Sequence, residues 1–216
     1  PPFYFREGMM VQTLTGITGL LIAGGRSKRM GQDKRWLTLD GQTLFQRALD
    51  ALQSLFAEVL IVLAEPLPEP AVKGALVITD LIPNCATLGG LYTGLHHAGS
   101  PRVFAVGCDM PFLNPDVIIR LATLDSQADV VMARLATGLQ PMHAVYSKAC
   151  LPHLERMAKA QQLKVQDLTQ VPGLKVRLVE ESTLKDVDPQ LLSFFNINTP
   201  PDLEFARKLL ASRDVS

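Results

Sequence analysis

The sequence predicts an α/β fold, with helices covering both faces of a mostly parallel sheet. Three observations lead there. Continuous apolar runs without alternation, such as Val59-Leu60-Ile61-Val62-Leu63, read as strands buried on both faces. Between them lie longer segments whose apolar residues recur every three or four positions, the spacing of a helix packed on a sheet. The two kinds of segment alternate along the chain, which is the pattern of parallel strands joined by crossover helices. At 216 residues the chain fits one domain with a sizeable core.

The elements follow in order. Pro1 to Gly8 carries one Arg and one Glu and lacks the layout of a signal peptide, so residues 1–15 read as a loose leader. Ile17 to Ala23 is the first buried strand. Thr43 to Phe56 is a helix, with Leu44, Ala48, Ala51, Leu52 and Leu55 on one side. Val59 to Leu63 is the second strand, and the proline-rich Pro66 to Pro70 is a surface loop. Leu76 to Ile78 is a short third strand ending at Asp80. Leu88 to Ala98 is helical, and Val103 to Val106 is a strand running into Cys108-Asp109.

Pro115 to Leu124 is a helix, with Asn114 as its cap and Pro115 at its first position. Asp129 to Ala133 and His143 to Tyr146 are further strands. Ser147 to Ala160 is helical, Lys175 to Glu180 a strand, and Phe194 to Ile197 a short strand. Thr199-Pro200-Pro201-Asp202 opens a last helix, with Thr199 as cap and Asp202 near the capping-box position. Leu163 to Pro172 gives no clear pattern.

Composition removes several function classes. Twenty-one Lys and Arg balance twenty-one Asp and Glu, so bulk charge gives no argument for nucleic acid or an acidic membrane, and an anion site must be local. The three cysteines include no CxxC pair, which speaks against a zinc site or a disulfide framework and for a reducing, cytoplasmic setting. No apolar run reaches transmembrane length.

Ligands of such sheets bind beyond the carboxyl ends of the strands. Gly24, Asp80 and Asp109 each follow a predicted strand. Gly24-Gly25 begins the loop Arg26-Ser27-Lys28-Arg29-Met30-Gly31-Gln32-Asp33-Lys34. Glycines let backbone N–H groups approach phosphates, and Arg29 and Lys34 supply positive charge. The loop is neither G-x-x-x-x-G-K-[ST] nor G-x-G-x-x-G, so a P-loop kinase and a Rossmann dehydrogenase are disfavoured. Taken singly, Gly24-Gly25 also fits a tight turn, and Asp80 and Asp109 also fit turn carboxylates.

The motifs together resemble the molybdenum cofactor guanylyltransferases. The resemblance runs through Leu21-Ile22-Ala23-Gly24-Gly25, Arg29-Met30-Gly31, Asp33-Lys34, Asp80, Leu88-Gly89-Gly90-Leu91, Cys108-Asp109-Met110-Pro111, Gln140-Pro141 and Asn196-Ile197-Asn198-Thr199-Pro200, nearly the whole chain in the family's order. Related cytidylyltransferases usually show Ala-Ala-Gly where this chain has Ala23-Gly24-Gly25, so the double glycine favours the guanylyl branch.

The resemblance implies a three-layer αβα sandwich with a Rossmann-like, mostly parallel sheet of the nucleotide-diphospho-sugar transferase type, residues 1–216 forming one nucleotidyltransferase domain. It implies transfer of GMP from GTP to the phosphate of molybdopterin with release of pyrophosphate, assisted by Mg2+. It assigns Ile22, Ala23, Gly24, Gly25, Lys34, Asp80 and Asp109 to the nucleotide, with Asp80 toward the nucleoside. Asp109 is the metal ligand, Lys34 stabilises charge near the α-phosphate, and Arg29 holds the departing phosphates. Gln140 falls on the pterin side, and the Asn196 to Pro200 segment, with Asn196 and Asn198, faces either the pterin side or the metal. Partners beyond the substrates are molybdenum insertion proteins or apo-molybdoenzymes. The alternatives are a cytidylyltransferase acting on molybdopterin or another phosphorylated metabolite, and a nucleotide-binding module without catalysis.

The remaining candidates have plainer readings. Lys28 and Arg35 are solvated loop charges. His96 and His97, adjacent on a helix, point in different directions, and His143 and His153 have no suitably spaced partner. Cys108 is a small buried side chain, and Trp36 packs rather than stacking on a base.

Overall fold

The computed structural model describes residues 13–24, 34–65 and 72–213. The glycine-loop residues 25–33, the leader residues 1–12 and the loop Pro66–Pro70 lie outside the described residues, so the expectations for Gly25 and Arg29 fall there too.

Strand β1 (Ile17–Ile22) is buried along its whole length, Thr18 included, as a strand in the middle of a doubly covered sheet must be. Its residues divide between the two faces: Leu21 packs in one core cluster and Leu20 in another. After a 3-10 turn at Lys34–Trp36 comes a small hairpin, β2 (Thr38–Leu39) and β3 (Gln42–Thr43). Its two-residue turn is Asp40-Gly41, both at positive φ (53° and 71°), the conformation that an Asp-Gly pair accepts at low cost. Thr43 caps α1 (Leu44–Gln53), its hydroxyl accepting from the Gln46 N–H at 3.1 Å.

Strands β4 (Val59–Leu63) and β5 (Leu76–Thr79) follow, then α2 (Ala86–His97), β6 (Arg102–Gly107) and α3 (Pro115–Thr123). Asn114 caps α3 as the sequence predicts, its side chain accepting from the Asp116 N–H at 2.9 Å. The second half comprises β7 (Val130–Leu135), β8 (Gly138–Ser147), α4 (Leu151–Lys159), β9 (Val176–Glu180), the short α5 (Glu181–Leu184) and α6 (Pro200–Arg213).

The large sheet has the order β5-β4-β1-β6-β8-β7-β9. Only β8 runs antiparallel to its neighbours; the other pairings are parallel. Helices α1 and α3 cover one face, burying Leu49, Leu52, Val117 and Leu121. Helices α2 and α4 cover the other through Leu88, Leu91, Leu95, Leu154 and Met157. The arrangement is the three-layer sandwich that the sequence predicts. A third, smaller cluster joins α6 to the hairpin through Leu37, Leu39, Leu44, Ile197, Leu203, Ala206 and Leu210.

Several expectations change. Strand β8 extends well beyond His143–Tyr146 toward the site. The helix expected from Ser147 opens with a 3-10 turn, Lys148–Cys150, before α4 begins. Leu163 to Pro172 contains a 3-10 run, Val165–Gln170. Phe194 to Ile197 is not a strand. Asp188 accepts from the Leu192 and Ser193 N–H groups, Leu191 takes φ +53°, and the chain coils into a 3-10 turn over Leu192–Phe194. Within the leader, Leu14 is tied down by donating to the Leu55 carbonyl at 2.8 Å. No described helix is long and apolar enough to cross a membrane.

Candidate active site

Strands β1 and β6 are parallel neighbours, with Ile22 opposite Gly107, so their carboxyl ends open at the same edge of the sheet. A cleft of about 370 Å³ lies there. Its walls come from Ile22, Ala23 and Gly24 after β1, Gly107 to Met110 after β6, Thr87 in the first turn of α2, Gln140 to Met142 on β8, Asn196, and Lys34 with Arg35. This is the crevice beyond the strand ends where ligands of open α/β sheets bind.

Backbone economy sets the shape of the wall. A β-carbon on Gly107 would stand 2.7 Å from Asp109 Oδ1, so the residue two before the aspartate must be small for that carboxylate to fold back over the strand end. Gly24 meets the next strand's exit: a β-carbon there would come within 3.2 Å of the Ala64 backbone nitrogen.

Two distant segments converge on Lys34. Its Nζ donates to Asn198 Oδ1 at 2.8 Å and lies 3.5 Å from Asp109 Oδ2. The Asp109 carbonyl in turn accepts from the Ile197 N–H at 2.9 Å. The lysine and aspartate side chains are mostly buried, with relative exposures of 17% and 28%, so their attraction is screened less than a surface pair's. Asn198 is fixed from behind, its N–H donating to Asp202 Oδ2 at 2.9 Å. That carboxyl is held below the usual carboxylate range, first by this bond and then by the Thr199 donors and the nearby Lys34 charge, against the opposing effect of burial.

The predicted site residues are thus partly assembled. Ile22, Ala23, Gly24, Lys34, Asp109, Gln140 and Asn196 line one cleft, and Asn198 joins it through Lys34. Asp80 is not among the lining residues. Its Oδ1 accepts from Thr93 Oγ1 at 2.9 Å and the Ile82 N–H at 3.0 Å, which anchors the turn between β5 and α2. Gln140 Nε2 donates to the Gly138 carbonyl at 3.1 Å, and Asn196 Nδ2 to the Phe194 carbonyl at 3.1 Å.

Sequence reasoning missed others. Arg35 lines the cleft beside Lys34, where a solvated charge was expected, and its guanidinium carbon lies 5.9 Å from the Trp36 ring centroid. Trp36 is half exposed, its ring 6.0 Å from that of Phe45. Cys108 is half-buried, lining the cleft while packing against the core, and Thr87 and Met142 carry no sequence-based assignment to the site. The basic pair Lys34-Arg35 was the available signal, but which way each side chain points depends on the 3-10 turn that carries them. Among the described residues no group of three or more His, Cys, Asp and Glu could hold a metal ion. A lone oxygen donor such as Asp109 suits a cation whose other ligands are phosphates and water, not a dedicated protein cage.

A doubly covered sheet that gathers a glycine-bordered backbone edge, a lysine and one carboxylate at the ends of adjacent parallel strands has the architecture of the nucleotidyltransferases. The chain belongs to the MobA-like NTP transferase family, whose domain model matches residues 19–173. It is 36% identical over 191 residues to the probable molybdenum cofactor guanylyltransferase of Pelotomaculum thermopropionicum, covering 88% of this chain and 91% of that one. To the molybdenum cofactor guanylyltransferase of Desulfosudis oleivorans it is 34% identical over 205 residues, covering 94% and 100%. The crystal structure of molybdopterin-guanine dinucleotide biosynthesis protein A from Archaeoglobus fulgidus shares the fold, with a TM-score of 0.76 at 24% identity, over 90% of this chain and 99% of that one.

Proposed function

We propose that the protein transfers GMP from GTP to the phosphate of molybdopterin. A phosphate oxygen of molybdopterin attacks the α-phosphorus of GTP, a new P–O–P bond forms, and the bond from the α-phosphorus to the bridging oxygen breaks to release pyrophosphate. The single observation that carries this reading is Lys34, held between Asn198 and Asp109 at the carboxyl ends of β1 and β6. The relatives' names support the choice of nucleotide and acceptor.

Such a displacement needs two anions brought together in line and the developing charge neutralised; it needs no covalent protein nucleophile. Lys34 supplies a point charge at the α-phosphate. Arg35 adds a second cation in the same cleft. We assign Arg29 to the departing β- and γ-phosphates and Gly25 to the phosphate loop on their sequence positions. The backbone of Ile22, Ala23 and Gly24 borders the nucleotide. The nucleoside lies against Thr87, with Asp80 shaping that wall, while Gln140, Asn196 and Asn198 face the pterin. Asp109 would hold Mg2+, which neutralises phosphate charge and polarises the phosphoryl oxygens when bound.

In this reading the described sheet and helices act as one nucleotidyltransferase domain working in the cytoplasm. Its product passes to molybdenum insertion proteins or apo-molybdoenzymes. The test is pyrophosphate release with GTP and with CTP, each with and without molybdopterin. Release that requires both GTP and molybdopterin is expected. A preference for CTP would overturn the guanylyl assignment, and release without molybdopterin would overturn the acceptor.

A further inference from the structure

We infer that Asp202 is a positioning residue for the transfer reaction, holding Asn198 so that its amide oxygen fixes the Lys34 ammonium beside Asp109. The inference rests on the proposed function for its kinetic consequence, though not for its geometry.

Asp202 sits in the first turn of α6, and its Oδ2 accepts three hydrogen bonds: from the Thr199 N–H at 2.7 Å, from Thr199 Oγ1 at 2.8 Å and from the Asn198 N–H at 2.9 Å. A capping box needs only the exchange with Thr199, which closes when the Asp202 N–H approaches Thr199 Oγ1 at 3.4 Å. The bond to Asn198 reaches one residue past the cap, to the residue whose side-chain oxygen accepts a hydrogen bond from Lys34 Nζ at 2.8 Å. An ammonium has three N–H donors on a flexible stem, so fixing one direction narrows where the other two can point.

The helix that carries Asp202 is itself clamped to the segment that carries Lys34. Leu203, Ala206 and Leu210 of α6 are buried in one cluster with Leu37 and Leu39, which follow Lys34 by a few residues. Both ends of the Lys34–Asn198 bond therefore belong to one packed unit, and Asp202 is the polar link that sets its register. A displacement of about 1 Å at a reacting centre can cost on the order of a hundredfold in rate, so loosening this link reads out in turnover.

Two measurements test it. Nitrogen-15 NMR of the Lys34 ammonium, assigned by Lys34→Arg, reports its hydrogen bond without any reaction. Its protons should exchange slowly in the parent protein and lose that protection in Asp202→Ala. Steady-state kinetics then compare Asp202→Ala, Thr199→Ala and Asn198→Ala. Asp202→Ala should lower kcat about tenfold with KM for GTP little changed, whereas Thr199→Ala, which removes the hydroxyl's share of the cap but keeps both backbone N–H bonds to Asp202, should lower Tm and leave kcat within about twofold. Adding Asp202→Ala to Asn198→Ala should cost no more turnover.

Should Asp202→Ala fail to fold, Asp202→Asn keeps the size of the side chain and is read the same way with smaller changes. Unchanged Lys34 protection, full additivity with Asn198→Ala, or an equal kcat loss in Thr199→Ala would overturn the inference. A parent protein that releases no pyrophosphate would instead count against the proposed function, and the NMR measurement would still decide the role of Asp202.

Discussion

Gly89 lies so close to Asp80 that a β-carbon on it would stand 2.5 Å from Asp80 Oδ2 and 2.7 Å from the Ile82 carbonyl oxygen. Neither neighbour can yield easily. The carboxylate is anchored by Thr93 and the Ile82 N–H, and the carbonyl belongs to the backbone of the turn that leads into α2. In an unconstrained helix Gly→Ala stabilises by roughly 0.5–1 kcal/mol. Here the sign should reverse: Gly89→Ala is expected to destabilise by about 1–3 kcal/mol, the usual cost of overpacking. Since Thr87 lines the cleft from the same turn, KM for the nucleotide should rise more than kcat falls. Urea denaturation midpoints give the first quantity and initial rates the second. A stabilised variant would show that the Asp80 turn moves aside freely.

Asp109 and Lys34 should fail in different ways. Asp109→Ala removes the oxygen donor assigned to the metal and leaves the glycine-bordered edge intact, so turnover should vanish while some GTP binding persists in equilibrium titration. Lys34→Ala removes the charge proposed to act on the reacting phosphate, so kcat should fall by about a hundredfold or more with a smaller change in nucleotide affinity. Full magnesium-dependent activity in Asp109→Ala would refute the metal assignment, and an unchanged single-turnover rate in Lys34→Ala would remove its role.

Much of this was legible because parallel strands buried on both faces leave a plain trace. Val59 to Leu63 has the same bounds in sequence and structure, and Asp109 stands beyond a strand end as the apolar run before it requires. What stayed hidden depends on geometry that no local pattern encodes. The bond from Lys34 to Asn198 spans 164 positions. The Asp188 turn coils Phe194 although its neighbourhood is apolar enough for a strand. Asp80 has the residue type and position of a ligand contact, yet its Oδ1 is engaged with Thr93 and Ile82. The hairpin at Asp40-Gly41 is different: the Asp-Gly signal was present, but its strands are only two residues each, too short to show a period.

Ala86, the first residue of α2, takes φ +48°, a left-handed conformation that a β-carbon disfavours by about 1–2 kcal/mol. Glycine would relieve this strain and would add roughly 0.4–1 kcal/mol of conformational freedom to the unfolded chain. The balance favours Ala86→Gly, with an expected gain of up to about 1 kcal/mol and a small rise in Tm. Thermal unfolding of the two proteins checks it. A clear loss of stability would show that the turn before α2 does not hold Ala86 in that conformation.

His143 ties acid stability to the wall behind the cleft. It is fully buried on β8, next to the cleft residue Met142, with its ring 5.3 Å from that of Phe104 and 4.7 Å from that of Phe194. Nδ1 lies 3.2 Å from the Ser193 carbonyl, which requires the proton on that nitrogen, and Nε2 has no hydrogen-bond partner among the described residues. Burial pushes the imidazole down to about 4, with the Ser193 carbonyl opposing only in part. Its ordinary value is 6.5, so between those limits the unfolded chain takes up a proton that the folded chain refuses. Stability therefore falls as pH drops below about 6.5, and the loss is complete below about 4. At pH 5 it amounts to roughly 2 kcal/mol relative to pH 7. His143→Gln keeps a donor for Ser193 and does not titrate. Urea midpoints at pH 7 and pH 5 should show the parent losing about 2 kcal/mol more than the variant, a comparison that subtracts every other titrating group. An equal loss in both proteins would mean that this histidine accepts its proton in the folded state.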